Sequence, residues 1–312
     1  MALWFLLSVS AGTLQAVRNA TSKTASARLQ PLTVTFIRFS YGVPFALIYV
    51  AILYSYKLHP GQLSFDSYVL ALLGALLQLA GNTLLVSLFK DKSFLIAVTL
   101  YKLNALFSSL VGAIFFHQPL SLLGWGAVLV TMSGVVCLSQ SKKPTIRTTS
   151  KEELTTWPNL WSLATASEAR GILSALCITL ASFCSRFATA AIVGGDLVIN
   201  SGLILVLVLL LQSCLVFLLV YLYHPRDLLK LRVGWRSDIW IGASSAFGSI
   251  CWFLAFNLAP VGLVNAVGQI EMPITLMASM LLFRERPRRH ELIGATLVSV
   301  GVVLASLAHT IS

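Results

Sequence analysis

The chain has 312 residues, 57% of them apolar and only 11% charged, with a mean hydropathy of +0.85. Soluble domains carry roughly a quarter charged residues, so this composition excludes a soluble domain and describes an all-α membrane protein. The formal net charge of +11 raises nucleic acid as a partner, a reading that the placement of the charges removes below.

Apolar runs of about 17–25 residues read as membrane spans, and the chain holds ten. They are too long and too uniformly apolar for barrel strands, which alternate and cross in about ten residues. The first, 2–20, has no basic residue ahead of its apolar run and carries Arg18 at its end. A signal peptide needs the opposite arrangement and a small-residue cleavage site, so a retained helix is expected. Asn19-Ala20-Thr21 matches a glycosylation sequon but hugs the membrane on the side expected to be cytoplasmic, and is discounted. The second span, 32–55, contains Arg38 and Tyr41, and the third, 67–88, contains Gln78 and Asn82. The fourth, 94–116, carries Tyr101, Lys102 and Asn104, and the fifth covers 120–139. A polar segment, 141–168, follows; its Trp157 and Trp161 are of the type that settles at headgroup level.

The sixth span, 170–193, carries Arg186, whose Arg-Phe-Ala-Thr context echoes Arg18-Asn19-Ala20-Thr21 in the first. The seventh is 198–222, and the eighth, 238–258, holds Phe247, Trp252 and Asn257. The ninth, 262–283, holds Asn265, Gln269 and Glu271, and the tenth is 291–309. All five cysteines fall within spans; an odd count without paired spacing argues for packing residues rather than disulfides or zinc ligands.

Residues 115–138 and 282–305 repeat one pattern. Phe116-His117-Gln118-Pro119, Gly126-Ala127 and Gly134-Val135-Val136 recur as Phe283-Arg284-Glu285-Arg286-Pro287, Gly294-Ala295 and Gly301-Val302-Val303. The chain is thus a duplicated half: residues 1–140 form one five-span repeat, 141–168 a linker, and 169–312 the other. An odd number of spans per half turns the second half over, giving two inverted five-helix repeats, an arrangement common in secondary transporters.

These hairpins carry a family resemblance. Leu282-Phe283-Arg284-Glu285-Arg286-Pro287, followed by Glu291, Gly294-Ala295 and Gly301, resembles the last two helices of the drug/metabolite transporter superfamily, EamA-domain type. Asn265-Ala266-Val267-Gly268-Gln269-Ile270-Glu271-Met272-Pro273 resembles that family's ninth helix, and Arg38 sits where many members carry arginine. The resemblance covers the whole chain and implies a ten-helix transporter without identifying its substrate. The first half has Ala105-Leu106 where the second has Met272-Pro273, so unequal bending of the two halves is expected.

Of the 22 Lys and Arg, 18 lie in or beside the odd-numbered loops and only Lys57 lies in an even-numbered one. Positive residues remain cytoplasmic, so odd loops are expected inside and both termini outside, in a plasma or inner bacterial membrane. Eukaryotic members of the superfamily are usually drawn with cytoplasmic termini, which the charge bias contradicts. A nucleic-acid face would instead cluster charge on one soluble element.

Ionisable residues within spans are costly, and normally face the interior and find a partner. The candidates for substrate or ion binding are Glu271, Lys102, Arg38, Asn104, Gln269, Tyr101, Trp252 and Asn265. At the repeat offset of about 167 residues Glu271 corresponds to Asn104, and Lys102 to Gln269. Glu271 is read in two ways: as a group that binds a proton or a cation, or as a permanent partner for Lys102. Residues two apart on a helix point about 200° apart, so Lys102 and Asn104 are not expected to face one cavity together, nor Gln269 and Glu271. Tyr41, Gln78, Asn82, Phe247 and Asn257 are further candidates for a pocket, although buried amides also serve as interhelical glue.

The sequence has no HExxH, Walker or CxxC signature and no pair of acids on neighbouring spans, so it is read as no enzyme, with no cofactor beyond coupling to a proton gradient. The expected function is secondary transport or export of a small metabolite, such as an amino acid, amine or drug-like solute, by a monomer or homodimer. A channel or lipid scramblase in the same fold is the nearest alternative, and a membrane scaffold an alternative of a different class.

Overall fold

The computed structural model describes residues 3–26, 29–91, 100–139, 166–223, 225–283 and 287–311. The expected Trp157 and Trp161 of the linker, and residues 94–99 of the fourth span, lie outside them. Twelve helices are described: α1 (Leu3–Ser26), α2 (Pro31–Ser40), α3 (Gly42–Ser55), α4 (Phe65–Asp91), α5 (Asn104–Phe115), α6 (Leu122–Ser139), α7 (Ala166–Ala190), α8 (Leu197–Tyr223), α9 (Pro225–Leu258), α10 (Val261–Gly268), α11 (Glu271–Phe283) and α12 (Arg289–Ile311).

Among the described residues six segments are long and apolar enough to cross a bilayer: Leu32–Ser55, Phe65–Leu85, Ala169–Ala190, Leu197–Tyr223, Gly234–Leu258 and Arg289–Ala308. Leu100–Phe115, Leu122–Leu138 and Val261–Met277 are shorter apolar helices. The second of the expected spans is two helices meeting at Tyr41, which packs against Gly242 of α9. Leu72, Leu73 and Leu76 on α4, with Phe217 and Leu218 on α8, point outward and are exposed. In water such a surface would aggregate; in a multi-pass membrane protein it is the lipid-facing belt.

Two boundaries differ from expectation. α1 runs six residues beyond the expected end of the first span, to Ser26, so Arg18 and Asn19, expected at the membrane edge beside the first loop, lie more than a turn inside a helix. α9 begins at Pro225 rather than near 238, because Pro fits the first turn of a helix and the charged residues that follow it form a polar extension beyond the apolar stretch.

The most extensive packing joins α6 to α12, α4 to α7, and α1 to α9. Small residues set these contacts, letting backbones meet as they do in membrane helix pairs. A methyl on Gly134 would lie 2.6 Å from the Val298 nitrogen and 2.8 Å from the Gly294 oxygen. Gly301, in turn, faces the backbones of Thr131 and Ala127. Gly134 and Gly301 are equivalent at the repeat offset, so the seam is reciprocal: what one half does to the other is done back. Residue numbers rise along α6 as they fall along α12, so this equivalent pair runs antiparallel. The same holds for the equivalent fourth and ninth segments, where Ser109 of α5 meets Gly262 of α10 and Ser108 meets Asn265. It holds again for the second and seventh segments, where Val50 meets Gly202 and Gly42 approaches Leu209.

Two polar clasps close the helix ends. Between residues 56–64 and 191–196, Gln62 and Val193 exchange backbone hydrogen bonds, His59 N–H donates to Asp196 Oδ2 at 2.9 Å, and Gly61 N–H donates to Asn200 Oδ1 at 2.9 Å. At the start of α2, whose N-cap Gln30 has no side-chain cap, the carboxylate of Asp227 from α9 accepts from Gln30 N–H at 3.0 Å and Thr33 Oγ1 at 3.2 Å. The Lys230 ammonium, 2.7 Å from Asp227 Oδ1, is the main cause that holds this carboxyl below its ordinary range, helped by the Gln30 and Thr33 donors and opposed by burial.

Two outcomes test these contacts. Gly134→Ala should lower the thermal unfolding midpoint of the purified protein by the equivalent of about 1–3 kcal/mol, the usual cost of overpacking. Gly126→Ala should not, because nothing lies within 4 Å of the methyl it would gain; equal effects would discard the seam. Asp227→Asn should destabilise at neutral pH. Because the folded carboxyl titrates below the unfolded value of about 3.9, its contribution is complete above that value and fades as pH falls through the folded one. The difference in unfolding midpoint between the two proteins should therefore close on acidification below about pH 4, and a pH-independent difference would contradict the ionised cap.

Candidate functional site

The two central helices are each broken at the same repeat position. Before α5, the described residues 100–102 are helical and stop at Leu103, whose N–H reaches back only three residues to the Leu100 oxygen. Between α10 and α11 the chain turns at Gln269 and Ile270, whose N–H groups donate to Ala266 and Val267 oxygens, again three residues back. Unequal bending was expected from Pro273 alone, yet the first half breaks without a proline. Pro273 instead sits in the first turn of α11, where a missing N–H costs nothing.

Each break restarts a helix at an equivalent residue, Asn104 in α5 and Glu271 in α11. A carboxylate in the first turn is favoured by the positive end of the helix dipole. Around Glu271 three donors from α1 and the turn before α5 are organised. Lys102 Nζ lies 2.5 Å from Glu271 Oε2, Gln15 Nε2 donates to the same oxygen at 2.8 Å, and Asn19 Nδ2 donates to Oε1 at 2.6 Å. Trp252 Nε1 then donates to Gln15 Oε1 at 3.3 Å, holding that amide from behind. Lys102 and Glu271 are each only 5% exposed, so neither charge is left to bulk water. Gly12 permits the arrangement, since a methyl there would sit 2.7 Å from the Gly268 oxygen and 2.8 Å from Ile270 Cγ2. α1 thereby lies directly on the break in the ninth segment.

Beside this pair is a polar cavity of about 70 Å³, room for a few water molecules. Its charged walls are Arg18, Arg38 and Lys102, with Tyr101 between them in sequence space. Its amides are Gln15, Gln78, Asn82, Asn104, Asn265 and Gln269, and Ser182, Ser185 and Ser249 add hydroxyls. Trp252, Phe253 and Phe256 form an aromatic side, with the Trp252 and Phe256 rings stacked at 5.4 Å. Both halves of the chain contribute.

Seven of the eight residues expected at a site border the cavity; Glu271 stands behind, turned toward α1. Lys102 and Asn104 both face it, contrary to the helical-wheel argument, because the break at Leu103 falls between them and the two are not on one continuous helix. Gln269 and Glu271 do diverge, as expected, across their own break. A second polar line ties the halves: Asn265 Nδ2 donates to Ser108 Oγ at 2.8 Å, and Ser108 Oγ donates to the Asn104 carbonyl at 2.6 Å. Gln78 accepts from Gln212 Nε2 at 2.7 Å.

Several candidates are elsewhere. Arg186 donates to the carbonyls of Phe256 at 2.5 Å and Ala259 at 2.7 Å, closing the C-terminal end of α9. Asn257 bonds back to the Phe253 carbonyl, Phe247 is exposed, and Tyr41 lies at the α2–α3 junction. Gln15 and Arg18 were missed as site residues. Arg18 had been counted among the loop cations, although its echo in Arg186 already placed the motif inside a span. Among the described residues no group of three His, Cys, Asp or Glu could hold a metal, and the five cysteines are free thiols.

The comparisons follow the same outline. A solved crystal structure of a protein superposes on this chain with a TM-score of 0.70 over 97% of each chain, at 14% identity, which shows a shared fold. No curated protein sequence matches the chain. The EamA-like transporter family matches residues 2–140 and again 170–307, one match on each side of the linker and together most of the chain. The protein therefore belongs to the EamA-like transporter family and is a multi-pass membrane transporter of the drug/metabolite type.

Proposed function

We infer that the chain is a secondary active transporter that moves a small metabolite by alternating access, built from ten spans in two inverted five-span repeats. The observation that carries this reading is the polar cavity at two broken helices that are equivalent in the repeat. Transporters of inverted-repeat type place their solute where discontinuous helices expose polar backbone and helix ends. The antiparallel course of the equivalent helices α6 and α12, and of the equivalent fourth and ninth segments, supports inversion of the second half. With no nucleotide-binding motif in the sequence, the energy comes from an ion gradient or from the solute's own gradient. The substrate contacts fall to Lys102, Asn104, Gln269, Arg38, Tyr101, Trp252 and Asn265, and Glu271 holds Lys102 in place. A saturable, counterflow-competent flux in proteoliposomes tests the carrier reading, and flux that grows linearly with concentration would favour a channel.

The orientation follows from charge. Removing Arg18 from the loop count leaves the bias toward odd loops intact, so both termini are placed outside the cytoplasm. A periplasmic phosphatase fused after Ser312 should be active, and green fluorescent protein fused there should stay dark. Bright fluorescence reverses the assignment.

Glu271 accepts from three side chains and is screened from the cavity, an arrangement that suits a permanent ion pair more than a proton carrier. Glu271→Gln should then destabilise the fold by about 3–5 kcal/mol, since it strands a buried cation. Lys102→Met combined with Glu271→Gln should recover expression and thermal stability. If instead the single variant folds normally and loses only transport driven by a pH gradient while keeping solute exchange, Glu271 carries the coupling proton.

A further inference from the structure

The charge around the cavity does not balance. Arg18, Arg38 and Lys102 border it, and no acid does. The nearest carboxylate, Glu271, is taken by Lys102. Two guanidinium groups remain, and among the described residues neither has a carboxylate at ion-pair distance. Arg18 donates to Asn19 Oδ1 at 3.2 and 3.3 Å, and Arg38 lies 5.3 Å from the centroid of the Phe39 ring. Arginine does not shed its proton in proteins, and an uncompensated cation within a span is costly unless a partner or a water-filled cavity relieves it.

A second, independent observation concerns acceptors. Asn104 Oδ1 and Gln269 Oε1 are buried and have no hydrogen-bond partner. Their residues are 7% and 3% exposed, and both border the same cavity. These are the repeat equivalents of Glu271 and Lys102. Where one pair of positions holds a satisfied ion pair, the other holds two amides with unused capacity. Buried acceptors without donors are expensive, so two of them on residues that border one cavity favour a ligand that donates.

We propose that the cavity binds a small organic anion, whose carboxylate or phosphate pairs with Arg18 and Arg38 and whose hydroxyl or N–H donors satisfy Asn104 and Gln269. Guanidinium forks match both kinds of oxyanion in a bidentate way, so the charged group is fixed as an oxyanion and its source is left to the experiment. A cationic amine would meet the two unpaired like charges of Arg18 and Arg38, which selects against it. This inference rests on reading the cavity as the substrate site.

The test uses the full chain purified in detergent, followed by thermal unfolding and calorimetric titration with defined probes. Malate offers carboxylates and a hydroxyl, glycerol 3-phosphate a phosphate and hydroxyls, succinate carboxylates alone, malamide the same shape without charge, and putrescine the opposite charge. Malate or glycerol 3-phosphate should raise the unfolding midpoint saturably, and whichever of the two acts identifies the oxyanion. If malate acts, succinate should bind more weakly, for want of a donor to Asn104 and Gln269. Malamide and putrescine should have no effect. Arg38→Gln should weaken binding by about tenfold to a hundredfold, the range for a lost charged hydrogen bond, and Arg38→Lys should recover part of it. Should Arg38→Gln not fold, Arg18→Gln and competition among probes on the unsubstituted protein decide the matter. Stabilisation by putrescine, no effect of any anion, or anion binding untouched in both Arg variants would overturn the proposal. Counterflow in proteoliposomes separates the two readings. Anions that bind but never exchange defeat the carrier and keep the anion site; exchange of a neutral or cationic solute, indifferent to anions, keeps the carrier and defeats the anion site.

Discussion

A buried charge inside a lipid-embedded chain has to be met, and the meeting of Lys102 with Glu271 organises the centre of this protein. The two residues come from different halves and from the two positions where a central helix stops and restarts. A continuous helix would spread such groups around its circumference, whereas a break lets the turn before α5 and the first turn of α11 present charges toward each other. Gln15 and Asn19 complete the shell of the carboxylate, and they reach it only because Gly12 brings α1 against the broken segment. The cavity is what remains on the open side of this assembly, bounded by side chains that the ion pair does not consume.

The membrane class and the duplication were legible in the sequence because both are written in quantities that survive without coordinates, apolar length and recurring glycines. Glu271, Lys102 and their amide equivalents were legible for a related reason: polar residues in a span are few, and each must be explained. The break at Leu103 was not legible. Pro273 announced a disturbance in the second half, but nothing in Leu103-Asn104-Ala105-Leu106 announces one in the first, and the helical wheel then misplaced Asn104. Arg18 was lost to a boundary. A charged residue near the end of an apolar run looks like the start of a loop, and only packing against α9 and α11 shows that α1 continues to Ser26. Phe247 and Asn257 failed as candidates because an apolar helix gives little sign of which face meets lipid; Phe247 is exposed, and Asn257 spends its amide on its own helix.

The repeat is close in backbone and unequal in chemistry. Both central helices break, both halves offer a glycine to the seam, and polar clasps at corresponding places join residues 56–64 to 191–196 and the start of α2 to the start of α9. The side chains then diverge. Lys102 and Glu271 carry opposite charges where their equivalents Gln269 and Asn104 carry amides; one clasp adds paired backbones to its side-chain contacts and the other rests on a single carboxylate. Duplication supplied the scaffold twice, and divergence at a handful of positions left each half one member of the ion pair and one cavity-lining amide.

The seam between α6 and α12 carries a mechanical consequence. Backbone lies against backbone at Gly134 and at Gly301, and the neighbouring positions carry larger residues. Displacing one helix along the other by about one turn would bring Leu138 or Val298, which share those faces, into the space a glycine leaves. Translation is thus blocked while a small change of angle is not, which makes the seam a fulcrum.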